Sequence, residues 1–286
     1  MRATHIVARV LSLVFAATSA LIWGAGDFAG GKASQRTNSF GIALIAEIAG
    51  IPLVLAWLLI TRPGLPSVAD LAWGAAAGVL GNAGLVVFYR GLAGGAMSIV
   101  APLTATTTAA VPLLLGLVLD RRPSVLAFGG AVLAVAAITL VSAGPTGGVK
   151  TSKGLVAAAL AAGVLFGGYF TLIAQTSHDS GMWPLLSGRV VGVIGLLVVM
   201  RLMRVPLKMD RSSLGLAGIA GAFDVTANAF YLVAVRGGML SVTAPIASLY
   251  PVSTVFLAMA VDRERMRPLQ ITGLGLAAAA LVLTAA

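Results

Sequence analysis

Ten apolar runs of about twenty residues divide the chain from end to end. Short segments containing proline, glycine or charge separate them, such as TRPGLPS and DRRPS. The runs occupy residues 10–29, 40–60, 68–89, 97–119, 125–143, 154–174, 183–203, 213–235, 240–261 and 268–284. Each run is near the length that a helix needs to span a bilayer, and a helix satisfies its own backbone hydrogen bonds in hydrocarbon. We therefore predict an all-α, polytopic membrane protein with ten transmembrane helices.

The composition excludes several other classes of protein. Charged residues make up 10% of the chain, whereas soluble domains carry about a quarter, which argues against a soluble enzyme or a disordered protein. The 19 basic residues are scattered between apolar runs rather than concentrated on one face, so no nucleic-acid partner is predicted. Without cysteine, and with only His5 and His178 far apart, the chain offers no metal-ligand spacing. No metal or cofactor is expected.

The two halves of the sequence resemble each other. The segment VFYRGLAGGAMSIVAPL at 87–103 aligns with AFYLVAVRGGMLSVTAPI at 229–246, an offset of 142 to 143 residues. The same spacing relates Trp23-Gly24 to Phe166-Gly167 in the first and sixth runs. We therefore predict two five-helix repeats, residues 1–146 and 147–286.

An odd number of helices per repeat fixes the relation between the halves. If the first repeat begins on one side of the membrane, the second must begin on the other. The halves are then inverted about an axis in the membrane plane, as in many secondary transporters, whose substrates bind near the midplane between the repeats. This symmetry indicates transport of a small-molecule substrate by alternating access.

Two segments carry a family resemblance. The stretch VRGGMLSVTAPIASLYPVSTVFLAMAVDRERMRPLQITGLGLAAAALVL resembles the second half of the EamA family, in the drug/metabolite transporter superfamily, and LIWGAGDFAGGKAS with VAPLTATTTAAVPLLLGLVLDRRPSVLAFGG resembles the first. The resemblance implies a ten-helix carrier that exports amino acids or other small metabolites. The chain departs from the family's usual Gly-Glu-Arg at Leu119-Asp120-Arg121.

Four charged residues fall within the predicted spans, namely Asp27, Glu47, Arg189 and Asp224. A charge at the bilayer centre costs roughly 2.5 to 3.5 kcal/mol on insertion scales, so such a residue is a functional candidate. Three acids cannot all pair with one base. At least two acids are therefore expected to be protonated, hydrated in a cavity, or placed near a substrate cation.

The eighth run carries the strongest candidate site. Asp224, Asn228 and Tyr231 are spaced by four and seven residues, so they share one helical face. Asn82 and Tyr89 repeat this face in the first half without the acid. The residues are predicted to bind substrate or protons; the alternative is that they only hold neighbouring helices together through hydrogen bonds.

Three further positions are candidates. Glu47 and Arg189 occupy equivalent places in the second and seventh runs, so they could form an ion pair near the axis, bind substrate directly, or lie hydrated at an interface. Asp27 either lines the site or caps the end of the first helix beside Lys32. Trp23, one turn earlier, either lines the cavity or packs at an interface.

Prolines and glycines recur at matched places in the two halves. Pro102, Pro112, Pro245 and Pro251 each leave a carbonyl without its helical partner, which predicts kinks or hinges in the fourth and ninth helices. The GxxxG spacings allow close approach of helices. They occur at Gly26–Gly30, Gly74–Gly78, Gly163–Gly167 and Gly188–Gly192.

The basic residues and the resemblance give opposite orientations. Six basic residues lie on the side shared by the termini and twelve on the other, which would place both termini outside. The resemblance implies that both are cytoplasmic, and this orientation is the one we expect.

Together these features predict a secondary active transporter, an exporter of small metabolites in the plasma membrane, in contact with lipid and coupled to protons through Asp224 or Glu47. The oligomeric state, monomer or homodimer, is left open. Two alternatives remain at this point. One is a passive channel, which would need rings of like residues along a pore. The other is a membrane enzyme or lipid-handling protein, which would need a reactive constellation at one interface.

Overall fold

The computed structural model describes residues 2–93, 97–119, 123–141, 152–253, 256–257 and 268–285. Within these ranges ten α-helices have described bounds, with one 3-10 turn at His178–Ser180. The helices are α1 (Arg2–Ser34), α2 (Ser39–Thr61), α3 (Val68–Ala93), α4 (Met97–Leu119), α5 (Val125–Val141), α6 (Lys153–Ile173), α7 (Trp183–Leu202), α8 (Arg211–Gly237), α9 (Leu240–Ala247) and α10 (Pro268–Ala285).

Most helix boundaries agree with the apolar runs to within a few residues. The fourth run, 97–119, coincides with α4 from end to end. Of the described helices, α1, α2, α3, α6, α7 and α8 are long and apolar enough to cross a membrane. Large apolar side chains such as Leu59, Ile60 and Leu202 are exposed on helix exteriors, as expected for surfaces that face lipid. The chain is thus a multi-pass membrane protein.

Polar side chains set several helix starts. Asn38 accepts a hydrogen bond from the Gly41 amide at 2.7 Å, and Ser152 accepts one from Leu155 at 3.1 Å. Asp210 accepts from the amides of Ser212 and Ser213 at the start of α8. Hydrogen bonds from Ser213 and Ser212 lower the pKa of Asp210. These caps satisfy free amides of the first helical turn and fix where α2, α6 and α8 begin.

Helices of one half pack mainly on helices of the other half. Exchanging the two halves converts each of these contacts into another contact that is also present. The contact α1–α8 corresponds to α3–α6, α2–α8 corresponds to α3–α7, and α4–α6 corresponds to α1–α9. The contacts α2–α7, α4–α9 and α5–α10 join equivalent helices directly. The two repeats are therefore interlocked, with α2 and α7 meeting at the centre.

Glycines let the central helices touch backbone to backbone. A Cβ added at Gly78 of α3 would overlap the backbone of Gly188 in α7, and a Cβ at Gly221 of α8 would overlap the backbone of Ala46 in α2. These two contacts are related by the 142 to 143 residue offset of the repeat. The predicted close approach at Gly74–Gly78 and Gly188 is thus present, and it recurs in the other half.

The ninth run differs from the continuous helix predicted over 240–261. Helix α9 ends at Ala247, a turn occupies Ser248–Tyr250, and helical structure resumes at Pro251. Pro251 lacks the amide hydrogen that would bond the carbonyl four residues earlier, but it fits the first turn of a new helix. Pro112, the second proline of the fourth run, lies within the continuous helix α4.

Polar contacts hold both ends of the central bundle, at places related by the repeat. At one end the Asp70 carboxylate accepts from the Ser67 hydroxyl at 2.7 Å and from the Ser177 amide at 2.7 Å. Arg236 joins this end by donating to the Gly181 carbonyl at 2.8 Å and the Ser180 hydroxyl at 2.7 Å. Both contacts tie the loop between α6 and α7 to a neighbouring helix.

At the opposite end the loop between α1 and α2 makes the corresponding contacts. Arg36 donates to the Ser212 hydroxyl at 3.1 Å, and Thr37 donates to the Lys208 carbonyl at 2.8 Å. These side chains are more exposed than Asp70, which is 5% exposed. The polar contacts at the end that holds Asp70 are therefore the more buried ones among the described residues.

Candidate functional site

A cavity lies at the centre of the bundle, between the two halves. It contains about 790 Å³ of space not occupied by protein atoms, part of it open to the outside. Both halves supply its polar lining, which includes Asp27, Glu47, Asn82, Thr108, Arg189, Asp224 and Asn228. The aromatic lining is Trp23, Phe166, Tyr169, Phe170 and Tyr250. A pocket with apolar walls and a few convergent polar groups is the usual form of a small-molecule site.

An ion network crosses from one half to the other at this cavity. Arg189 of α7 pairs with Glu47 of α2 at 3.2 Å and, through its second terminal nitrogen, with Asp224 of α8. Arg189 and Glu47 are buried, at 5% and 7% exposure. Gly50 makes room for the guanidinium, since a Cβ there would lie 2.7 Å from Cζ. The ion pair between equivalent positions, one of the predicted alternatives, is therefore present, and Asp224 joins it.

Asp224 is also the centre of a chain of hydrogen bonds. It accepts from the Trp23 indole nitrogen at 3.1 Å and from the Asn228 amide at 2.9 Å. Asn228 in turn accepts from the Tyr169 hydroxyl at 2.5 Å. These bonds connect α1, α6 and α8 around one carboxylate. Asp224 nevertheless keeps a third of its side chain exposed, at 33%, so it remains accessible from the cavity.

Asp27 lines the cavity and does not cap a helix. Helix α1 continues to Ser34, so the capping alternative is wrong. Lys32 lies with its Nζ 5.4 Å from the centre of the Phe28 ring. In the part of the chain that the structure describes, the Asp27 carboxylate has neither a hydrogen bond nor an ion pair.

Asn82 is the buried amide of the first half. Its nitrogen donates to the Gly78 carbonyl at 2.9 Å, which fixes the orientation of the amide group. Its oxygen, among the described residues, has no hydrogen-bond partner although the side chain is only 7% exposed. A buried acceptor without a donor is costly. Asn82 also lines the cavity and contacts the Glu47 side chain.

The two tyrosines of the predicted faces lie behind the cavity wall. Tyr231 donates to the Phe170 carbonyl at 3.1 Å and stacks on the Phe170 ring, with 4.4 Å between ring centres. Phe170 stacks in turn on Trp23 at 5.1 Å. Tyr89 packs against Gly30, where a Cβ would overlap its hydroxyl. Neither tyrosine is among the residues that line the cavity, so direct solute contact by them stays a prediction.

The prolines lie in helices that border the site. Pro102 and Pro112 are in α4, which also presents Thr108 to the cavity. Pro245 is inside α9, and Pro251 follows the turn that presents Tyr250. Their use as hinges stays a prediction.

Helix α6 supplies lining residues that the sequence analysis did not single out. Phe166, Tyr169 and Phe170 form one wall of the cavity. The repeat contained a signal for them, because Phe166-Gly167 aligns with Trp23-Gly24. Continuing that alignment by one helical turn reaches Tyr169 and Phe170 on the same face.

Comparisons with known proteins bear on the family and the fold. A family model described as the EamA-like transporter family matches residues 10–143 and, a second time, residues 153–286. No curated protein sequence matches the chain at a significant level. Among solved structures 21 chains match. One of them, a crystal structure of a protein, superposes with a TM-score of 0.73 at 16% identity, over 95% of this chain and 95% of its own. At that identity the likeness concerns the fold alone.

Proposed function

This chain belongs to the EamA-like transporter family, and we propose that it is a secondary active transporter that exports small metabolites, such as amino acids or drug-like solutes, across the plasma membrane. The family is one of transporters rather than enzymes. The proposal depends above all on the central cavity, whose ion network joins Glu47 of the first half to Arg189 and Asp224 of the second. Secondary transporters bind their solutes at such an interface between repeats.

The proposed mechanism is alternating access between two inverted repeats of five helices, ten spans in all. Two observations support it. The helix contacts are symmetric under exchange of the halves, and the polar contacts at the two ends of the bundle join corresponding loops. If the halves rock about the centre, the contacts at one end loosen while those at the other end hold. A solute in the cavity then meets the two sides in turn.

Protons are the proposed coupling ion, acting through Asp224 or Glu47. Each carboxylate forms half of an ion pair with the same guanidinium. Protonation of Glu47 removes a charge from the network and weakens an ion pair between the halves. Protonation of Asp224 weakens an ion pair within the second half and the hydrogen bond that Trp23 of the first half donates to Asp224. Proton binding and the position of the halves would therefore be linked, as coupled transport requires.

Flux into proteoliposomes tests the proposal. The purified full chain is reconstituted, and uptake of labelled amino acids and labelled organic amines is followed with and without a pH gradient. We expect saturable uptake that the pH gradient accelerates and that Arg189→Ala abolishes. Gly195→Ala is the matched control within α7, because a Cβ at that position meets nothing within 4 Å, and it should retain flux.

The same assay separates the proposal from its alternatives. A passive channel would give uptake that rises linearly with concentration and does not respond to the gradient beyond simple electrodiffusion. The absence of saturable flux for every solute class would reject the transporter. Saturable flux without an effect of the pH gradient would reject proton coupling only.

A further inference from the structure

The charges around the cavity do not balance. Its described lining contains three carboxyl groups, those of Asp27, Glu47 and Asp224, and one guanidinium, that of Arg189. Glu47 and Asp224 occupy both terminal nitrogens of that guanidinium. Arg189 is therefore already neutralised, and a solute anion would have to compete with two built-in carboxylates for it. An ionised Asp27 therefore adds a negative charge that no base in the described lining balances.

Two unpartnered groups indicate what would complete the site. The Asp27 carboxylate has no partner among the described residues, and the Asn82 oxygen is buried without a donor. Both are acceptors, so the missing group is a hydrogen-bond donor, preferably a positively charged one. Both groups belong to the first half, Asp27 on α1 and Asn82 on α3, whereas Arg189 is on α7 of the second half.

The remaining wall favours an apolar or aromatic body. Trp23 and Phe170 stack on each other with 5.1 Å between ring centres, and Phe166 continues the same wall. Aromatic faces attract cations, an effect of about 0.5–1 kcal/mol at exposed sites and 2 or more when water is excluded. An aromatic wall beside an unpaired carboxylate suits a cation carried on an apolar frame.

We infer that the cavity takes a monovalent organic cation, a protonated amine with an apolar or aromatic body, with Asp27 as its counter-ion. The inference rests on the proposed function, because it assumes that this cavity is the solute site. The amine would donate to the Asp27 carboxylate, and the body would lie against the aromatic wall. A carboxylate on the same body would weaken binding, because it would face the negative charge of Asp27.

Three probes with one indole ring test this charge selectivity. Binding of tryptamine (cation), tryptophan (zwitterion) and indole-3-propionate (anion) is measured by titration calorimetry on the full chain purified in detergent. We expect tryptamine to bind about tenfold or more tightly than tryptophan, and the anion to bind most weakly. Asp27→Asn should lower the affinity for tryptamine by about tenfold. The affinity for the anion should stay the same or rise. Asp179→Asn is the matched control, as Asp179 is an exposed acid outside the cavity.

Each outcome decides for or against the inference. Equal or tighter binding of tryptophan or the propionate overturns it, and so does tryptamine binding that Asp27→Asn leaves unchanged or a lack of binding by all three probes. If Asp27→Asn does not fold, the order of the three probes on the unaltered protein still decides. The measurement involves no membrane. If the three probes bind in the expected order but no flux is seen, transport is rejected and the cation site is retained. If flux is saturable but shows no preference for amines, transport is retained and the cation site is rejected.

Discussion

Two matched helix pairs face the cavity, α2–α3 in the first half and α7–α8 in the second. They make the same backbone contacts but carry different polar side chains. In both halves a glycine of the third helix of the repeat touches the backbone of the second helix of the other repeat, at Gly78 with Gly188 and at Gly221 with Ala46. At the centre, however, Glu47 stands opposite Arg189. Like charges at equivalent places near an axis would repel. Two equivalent positions near the axis can both hold ionised side chains without repulsion only if the two repeats have opposite charges at these positions.

The divergence extends to the neighbouring helix. Asp224 of α8 is held by Arg189, Trp23 and Asn228, whereas Asn82 at the matching position of α3 keeps its oxygen without a partner among the described residues. At this pair of matched positions, Asp224 is thus held by three donors, whereas Asn82 has an open acceptor. Equivalent positions of the two repeats thus differ in role: Asp224 belongs to a hydrogen-bonded network, and Asn82 has an acceptor without a donor among the described residues.

The largest effect should come from removing the shared base. Arg189→Ala leaves the buried Glu47 and the partly exposed Asp224 without a counter-ion, and losing one partner of a buried ion pair costs about 3–5 kcal/mol. We expect a marked drop in melting temperature in detergent and no solute flux. Glu47→Gln with Asp224→Asn in the Arg189→Ala background removes the orphan charges and should restore much of the stability without flux. A stable and active Arg189→Ala variant would show that the network is dispensable.

The second prediction compares the two matched positions of α3 and α8. Asp224→Asn removes one carboxylate from Arg189, and a hydrogen bond to a charged group contributes about 1.5–3 kcal/mol, so flux should fall by about tenfold or more. Insertion into the membrane should be unchanged, because Glu47 still pairs with Arg189. Asn82→Ala loses the hydrogen bond to the Gly78 carbonyl and the side-chain contact with Glu47, but it leaves both ion pairs of Arg189 in place and should reduce flux less. Equal losses in the two variants, measured as initial rates at matched protein density, would contradict the asymmetry.

The sequence was informative where one helix face or one repeat unit determined the outcome. The ten apolar runs predicted the helices, and the offset of the repeat made an ion pair between Glu47 and Arg189 one of the predicted alternatives. Contacts between helices that the repeat does not relate were not predictable in this way. The bond from Tyr169 to Asn228 and the joining of Asp224 to the ion pair depend on how α6 and α8 are rotated. The rotation of each helix about its axis depends on how it packs on its neighbours. The periodicity of the sequence shows only which residues share a face of the helix.

For Asp27 the sequence left two alternatives, lining the site or capping the end of α1, because the first apolar run ends at residue 29. The glycines of GAGDFAGGKAS have low helix propensity. They are instead packing positions: a Cβ at Gly26 would lie 3.2 Å from the Phe223 Cβ, and Gly30 makes room for Tyr89. The close packing that these glycines permit outweighs their weak propensity, so α1 continues to Ser34 and Asp27 is held within the bundle.

The third prediction tests whether the shared backbone frame is equally tight in both halves. Gly78→Ala and Gly221→Ala each place a methyl group against a neighbouring backbone, and such overpacking costs about 1–3 kcal/mol. Both variants should melt earlier, by similar amounts. Gly218→Ala in α8 meets nothing within 4 Å and should be neutral or slightly stabilising, by up to about 1 kcal/mol. A large effect in one half only would show that the frames are not equivalent.

The smallest effect tests the polar chain that only the second half has. Asn228 accepts from Tyr169, whereas the positions that the repeat offset assigns to Asn228 in the first half are Leu85 and Val86. Tyr169→Phe removes one hydrogen bond at the cavity wall, worth about 0.5–1.5 kcal/mol, so the apparent affinity for the transported solute should fall by a few fold. Tyr231→Phe removes a bond of the same type behind the wall. It should lower the melting temperature and leave the KM for transport unchanged. If the two variants shift KM alike, the wall and the layer behind it act as one unit, and Asn228 is positioned by packing rather than by Tyr169.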